Sequence, residues 1–204
     1  MGWLTMTTLG RHATMPDYLD DQFTYERPDH RCKVLRSAMV GRTYYAAVEF
    51  IKIEPNELLV IALICQTSYH PRDREGYKYG YKDMDESAGP YESDCPASIL
   101  DLLTPTDNAN ALQWRQICRD KIAKRRAITS KPTPKPGQTI IFDPPITFQN
   151  GLSFAQMNVI ANPRRGPALY QAPDRSGIYR VSNIKRRNYR VIDPKVTELG
   201  LFCQ

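Results

Sequence analysis

The segment Ser130–Gly137 (SKPTPKPG) separates two stretches of the chain that differ in their residue patterns. Its three alternating prolines predict a stiff, extended connector. The residues before it contain long periodic apolar stretches, whereas the residues after it form short apolar runs separated by turn signals. We therefore expect a mixed helix and sheet part over residues 1–129 and a small β-rich part over residues 138–204.

Within the first part, the spacing of apolar residues predicts both helices and strands. Val34, Leu35 and Ala38 fall at helical spacing, so a helix is expected over residues 29–40, with Gly41 as its C-terminal stop. The strand candidates are rich in aromatic and β-branched residues. The remaining predictions are a short helix at Met15–Leu19, strands at Thr43–Ile53, Leu58–Tyr69 and Tyr77–Lys82, a helix at Ala97–Leu103 and a long helix at Asn108–Ile128.

Short strands at close intervals characterise the second part. Turn signals separate them, notably Asn150-Gly151 and the stretch Asp174–Gly177. The predicted strands are Thr139–Phe142, Ile146–Phe148, Phe154–Ile160, Ala168–Gln171, Ile178–Val181 and Tyr189–Ile192. This rhythm predicts a small antiparallel sheet, half-barrel or sandwich. The expected fold class is α+β, with a mixed helix and antiparallel-sheet N-terminal part and a small β-rich C-terminal part.

Charge is unevenly distributed along the 204 residues. Residues 1–109 carry 11 Lys and Arg against 17 Asp and Glu, a balance of −6, whereas residues 110–204 carry 17 against 5, a balance of +12. This asymmetry predicts a surface on the C-terminal half that faces a polyanion. The alternative is that the two halves complement each other electrostatically within one molecule.

Other sequence features bear on where the protein acts. The longest apolar run, Leu58–Cys65, is far too short to span a membrane, and Met1–Met6 lacks the basic and apolar regions of a signal peptide. Five scattered cysteines favour reduced thiols over a disulfide framework. We therefore expect a cytoplasmic protein without a membrane partner.

Basic residues interleaved with tyrosines form the strongest candidate site. Arginines that alternate with aromatic rings offer both phosphate contacts and stacking surfaces. In the second part, Arg164 and Arg165 lie in a predicted loop and the other candidates surround a predicted hairpin turn, and the end of the long helix adds three more. They are Arg164, Arg165, Tyr179, Arg180, Lys185, Arg186, Arg187, Tyr189 and Arg190, with Arg119, Arg125 and Arg126. The alternative reading is an ordinary exposed sheet edge, on which cations oppose aggregation.

The stretch Tyr79–Pro96 (YGYKDMDESAGPYESDCP) carries a second, acidic candidate. Asp83, Asp85 and Glu86 follow a tyrosine-rich strand and would suit Mg²⁺ or Mn²⁺ if further carboxylates converged on them. That reading makes the protein a small metal-dependent nuclease or hydrolase. We instead expect these carboxylates to be exposed in a loop, with Ser93 or Asp94 capping the next helix. No cofactor is expected outside the metal-dependent alternative.

Three segments carry a resemblance to a known family. They are FTYERPDHRCKVLRSAMVGRTYYAAVE, GYKDMDESAGPYESDCPASILDLLTPTD and YRVSNIKRRNYRV. The chain resembles an uncharacterised family encoded by bacterial plasmids, integrative elements and phages. The resemblance implies no site residues, but it implies a mobile-element accessory protein. Together with the basic surface it predicts a non-enzymatic binder of nucleic acid or of a host nucleoprotein complex, one form of which is an anti-defence inhibitor of the anti-CRISPR kind.

Overall fold

The computed structural model describes residues 2–53, 57–70, 76–164 and 166–193 of the 204-residue chain. The strands are β1 Leu4–Met6, β2 Tyr25–Glu26, β3 His30–Val40, β4 Thr43–Lys52, β5 Glu57–Tyr69, β6 Tyr79–Asp85, β7 Thr139–Thr147, β8 Ser153–Ile160, β9 Leu169–Gln171, β10 Ile178–Tyr179 and β11 Tyr189–Ile192. The helices are α1 Met15–Gln22, α2 Ala97–Leu100 and α3 Ala109–Ser130, with 3-10 turns at Glu86–Ala88 and Ile184–Arg186. Helices and antiparallel sheets together confirm the predicted α+β class.

The chain divides into two compact units, Met1–Arg125 and Arg126–Gln204. The division lies within α3, a few residues before the proline-rich connector at which the sequence predicted a boundary. The second unit contains 12 Lys and Arg against 4 Asp and Glu, a net charge of +8 (12 minus 4). The first unit is therefore close to neutral, and the second carries the excess positive charge.

A six-stranded antiparallel sheet forms the first unit, in the order β1-β6-β5-β4-β3-β2. One face packs under α2 and α3, in a core that includes Tyr45, Ile64 and Trp114. The opposite face packs under α1, whose buried Leu19 shares a core with Tyr44. The strands predicted from β-branched and aromatic residues are confirmed as β4, β5 and β6.

The helix predicted over residues 29–40 is wrong, because this segment forms β3. Val34 packs against the core under α1 and Ala38 against the core under α2 and α3, because a bulge between Val34 and Arg36 shifts the register by one residue. Gly41 does not end a helix. It has a φ of +63° and begins the two-residue turn in which Val40 pairs with Thr43, a position that favours glycine.

The second unit contains a five-stranded antiparallel sheet in the order β10-β9-β8-β7-β11. All six predicted strands are present, but Thr139–Phe142 and Ile146–Phe148 belong to one strand, β7. Its pairing with β8 is irregular between Ile141 and Ile146, where Pro144 and Pro145 cannot donate ladder hydrogen bonds. The core of this sheet is apolar and consists of Ile140, Phe142, Ile146, Met157, Val159 and Tyr170.

Candidate nucleic-acid interface

The basic stretch from Arg180 to Arg190 does not form the predicted hairpin. It leaves β10 at one edge of the second sheet and enters β11 at the other edge. Val181 and Ile184 are partly buried against the core on the way, which a solvated hairpin tip would not allow. The arginines are therefore carried by a connection that crosses the sheet, because its apolar residues pack against the sheet.

Besides Arg126 in α3, five of the predicted arginines in this unit have exposed side chains. They are Arg164, Arg180, Arg186, Arg187 and Arg190. Arg165 lies outside the described residues. Two other candidates, Lys185 and Tyr189, are half-buried and have local partners. Lys185 Nζ donates to the Thr129 carbonyl oxygen at 2.9 Å, and the Tyr189 hydroxyl donates to the Pro132 carbonyl oxygen at 2.6 Å. These two side chains hold the connection against the end of α3 and the proline-rich connector.

Lys131, which was not a predicted site residue, strengthens the same attachment. Its Nζ donates to the Arg187 carbonyl oxygen at 2.7 Å and lies 5.8 Å from the centre of the Tyr189 ring. Because its backbone is fixed in this way, Arg187 presents its side chain from a defined position.

Three predicted residues meet at a single cavity of about 560 Å³. Tyr179, Arg180 and Arg187 line it, together with Phe148 and the turn residue Asn150. The guanidinium groups of Arg180 and Arg187 have no hydrogen-bonding or ion-pair partner within the described ranges. An arginine without a partner is available for a phosphate, which its planar fork binds in a bidentate manner.

Aromatic packing fixes one wall of this cavity. The Tyr179 ring centre lies 4.3 Å from that of Phe148 and 5.3 Å from that of Phe154. The Tyr179 ring also lies against the backbone of Gly177. A Cβ added at Gly177 would be only 2.8 Å from the Tyr179 hydroxyl oxygen. The absence of a side chain at Gly177 thus makes room for the ring, and the ring retains a partly exposed surface.

Sequence reasoning missed Phe148, Gln149 and Asn150 as site residues. The Asn150-Gly151 pair was identified only as a turn, and it does connect β7 to β8, with Gly151 at a φ of +81°. The turn brings the three residues to the cavity that Arg180 and Arg187 also line. A polar turn after an aromatic residue is visible in the sequence. The neighbouring residues do not show, however, which arginines line a cavity with this turn.

Arg190 lines a separate cavity of about 500 Å³, which it shares with Asp143, Asn188 and Tyr189. The carboxylate of Asp143 is in the same cavity and opposes the approach of a phosphate. This cavity is therefore a weaker candidate for a phosphate site than the one lined by Arg180 and Arg187.

The basic end of α3 is less uniform than its sequence indicates. Arg119 and Arg126 are exposed, whereas Arg125 pairs with Asp94. Arg115, on the same helix, is buried, with 6% of its surface exposed. Since Arg119 and Arg125 belong to the first unit, only Arg126 of the three predicted helix residues lies in the second.

The structure does not bring Asp83, Asp85 and Glu86 together. Asp83 and Asp85 are half-buried on one face of β6, where they line an apolar groove with Phe50, so they are not exposed in a loop as expected. The expected exposure of Glu86 is wrong: its side chain is buried and accepts hydrogen bonds at 2.6 Å from both Nε and Nη2 of Arg115. Among the residues the structure describes, no cluster of three or more His, Cys, Asp or Glu could hold a metal.

The expected helix cap at Ser93 or Asp94 is also wrong. The N-cap residue of α2 is Pro96, and no side chain caps this helix. Ser93 Oγ instead accepts a hydrogen bond from Lys121 Nζ at 2.7 Å, and Asp94 pairs with Lys121 at 3.6 Å. Both polar side chains thus attach the preceding loop to α3, because the lysine provides a stronger partner than the amides of a helix of only four residues.

The four described cysteines are buried and free. Burial raises the pKa of the Cys65 and Cys95 thiols and raises that of Cys118 to about 11. The thiolate is the nucleophilic form, so these three groups are poor candidates for nucleophilic chemistry near neutral pH. They act as core side chains.

The comparisons with known proteins match one part of the chain to a family model and give no activity. A family described as a domain of unknown function (DUF6927) matches residues 105–184, a range that includes Phe148, Tyr179 and Arg180 but ends before Arg187. No curated protein and no solved structure matches the chain. None of the helices in the described part of the chain has the length and apolar character needed to cross a membrane.

Proposed function

We propose that the second unit is a nucleic-acid-binding module and that the cavity lined by Tyr179, Arg180 and Arg187 is its principal contact site. The observation that carries the proposal is the placement of two arginines without partners beside an aromatic wall fixed by packing. Such a site meets the two recurring requirements of nucleic-acid binding, which are cations for the phosphates and a ring on which a base can stack.

The charge of the unit supports the same proposal. A net charge of +8 attracts polyanions over distances of about 10 Å at moderate ionic strength. Arg164 and Arg186 are also exposed in this unit and would contact further phosphates. Arg180 and Arg187 would thus make the central contact, and the other exposed arginines would contact the flanking phosphates of the nucleic acid.

The resemblance to proteins of mobile elements suggests the setting. In that setting the chain would be a cytoplasmic, non-enzymatic accessory protein that binds nucleic acid directly or within a nucleoprotein complex of the host. An anti-defence inhibitor is one form of this activity, in which the bound nucleic acid belongs to the host's defence complex.

Removal of the two central cations tests the proposal. We expect Arg180→Ala/Arg187→Ala to bind labelled single-stranded oligonucleotides more weakly than the wild type. Loss of two phosphate contacts should also reduce the slope of log K against log salt by about 1.4, since each contact to a single strand contributes about 0.7. Fluorescence anisotropy over a range of salt concentrations measures both quantities.

The matched control removes the same charge elsewhere in the unit. Lys135 and Arg175 are exposed and do not line the cavity, and Arg175 has a φ of +62° that glycine adopts readily. Lys135→Ala/Arg175→Gly should therefore retain most of the affinity. If both double variants lose affinity equally, the binding is diffuse and the cavity has no special role. If the wild type binds neither DNA nor RNA at low salt, the proposed function is wrong.

A further inference from the structure

We infer that the cavity beside Tyr179 holds one unpaired base, so that the second unit selects single strands over duplexes. This inference rests on the proposed function and specifies its substrate class. Three observations carry it: a fixed aromatic ring, polar side chains that can reach a base edge, and a concave site of suitable size.

The Tyr179 ring is positioned in advance of any ligand. Phe148 and Phe154 pack against it, and the backbone of Gly177 lies so close that an added Cβ would be 2.8 Å from the Tyr179 hydroxyl oxygen. A ring held in this way loses little conformational entropy when a base stacks on it. Stacking on an aromatic side chain does not require a specific base, because every base has a π face.

The turn between β7 and β8 provides groups for the base edge. Asn150 Oδ1 accepts a hydrogen bond from the Leu152 amide at 3.2 Å, which fixes the side chain and leaves its amide nitrogen without a partner in the described ranges. Gln149 lines the same cavity with a second amide group. Single-stranded bases expose the edges that such groups bind, whereas those edges are paired in a duplex.

Arg180 and Arg187 complete the site by binding the phosphates on either side of the held base. A cavity of about 560 Å³ lies within the usual size range of small-ligand sites. A duplex can place a base in such a concave site only by flipping it out of the stack, which costs unpairing and unstacking energy. Single strands avoid that cost, so they are the preferred ligand.

Oligonucleotides without bases test the inference on the wild-type protein. The probes are a labelled oligothymidylate of about 12 nucleotides and an abasic strand of the same length and charge. We expect the abasic strand to bind about tenfold more weakly or worse, as the loss of one stacked base predicts. A duplex containing the same oligothymidylate should also bind more weakly than the single strand.

The outcomes separate the inference from the function on which it rests. Equal affinity for the oligothymidylate and the abasic strand would overturn base binding and leave phosphate binding intact. A failure of both strands to bind would instead overturn the proposed function, and the inference with it.

A substitution at Gly177, whose backbone lies against the Tyr179 ring, provides a second test. It adds a methyl group and removes no atoms from the core. In Gly177→Ala, the added methyl group displaces the Tyr179 ring, so affinity for oligothymidylate should fall several-fold while affinity for the abasic strand is unchanged. Tyr179→Phe keeps the ring and should retain the affinity of the wild type. If Gly177→Ala binds oligothymidylate as the wild type does, the position of the ring is irrelevant and the inference is wrong.

Discussion

Replacement of Glu86 by alanine is expected to lower the free energy of unfolding of the first unit by about 3–5 kcal/mol. The Glu86 and Arg115 side chains are 4% and 8% exposed, so alanine leaves the Arg115 guanidinium buried without its carboxylate. It also removes the acceptor for the Ala62 amide at 3.3 Å, while only the bond from Arg115 to the Thr104 carbonyl remains. An unpaired buried charge costs more than the lost bonds alone, which explains the size of the effect.

Urea unfolding followed by tryptophan fluorescence measures this loss, because Trp3 and Trp114 both belong to the first unit. The control is Glu26→Ala, which removes a surface pair in which Arg31 Nε lies 2.8 Å from Glu26 Oε1. Glu26 and Arg31 are 66% and 58% exposed, so the expected cost is about 1 kcal/mol or less. Equal effects of the two variants would show that burial of the Glu86 pair has no energetic consequence.

The second large effect is expected for Trp114→Ala, with a loss of about 3–5 kcal/mol. Trp114 is 2% exposed and shares a core with Ile99, Leu100 and Cys118 between α3 and the first sheet. Alanine would leave a large cavity there. It would also remove the hydrogen bond that the indole Nε1 donates to the Glu92 carbonyl at 2.7 Å.

Unfolding followed by circular dichroism measures this change, since the substitution removes a fluorescent residue. Leu112→Ala is the control on the same helix, because Leu112 is 50% exposed and its truncation should change stability by about 0.5 kcal/mol or less. A loss below 1 kcal/mol for Trp114→Ala, or one no larger than for the control, would contradict the packing of α3 described above.

Regular elements with dense local signals were predictable from the sequence. The apolar stripe of Ala111, Trp114 and Cys118 predicts α3, and these residues are buried as expected. In the second unit, turns at Asn150-Gly151 and Asp174–Gly177 limit the possible strand lengths. The strands between them are therefore confirmed to within a few residues. In both cases neighbouring residues contain the deciding information.

Features that depend on distant residues were not predictable in this way. In β3, Val34, Leu35 and Ala38 have helical spacing, but the segment forms a strand because it pairs with β4 along its length. Glu86 and Arg115 are separated by 29 positions, and nothing near either residue shows that the other is buried beside it. Local propensity is overridden where tertiary contacts satisfy a different arrangement.

The candidate site shows the same division. Composition and charge identified Tyr179, Arg180 and Arg187, because alternating cations and rings are visible along the chain. They could not show that Lys185 and Tyr189 are engaged by the end of α3 and the connector, or that the turn after Phe148 reaches the same cavity. These facts depend on the crossing of the sheet between β10 and β11, which the sequence suggested to be a hairpin.

Photochemical cross-linking to a single strand containing 5-iodouracil tests the central claim most directly. Mass spectrometry of the digested complex locates the adduct without any substitution in the protein. The account predicts adducts on Tyr179 or Phe148, the aromatic residues that line the cavity. Adducts confined to Met1–Arg125, or located in the second unit only outside the cavity, would contradict it.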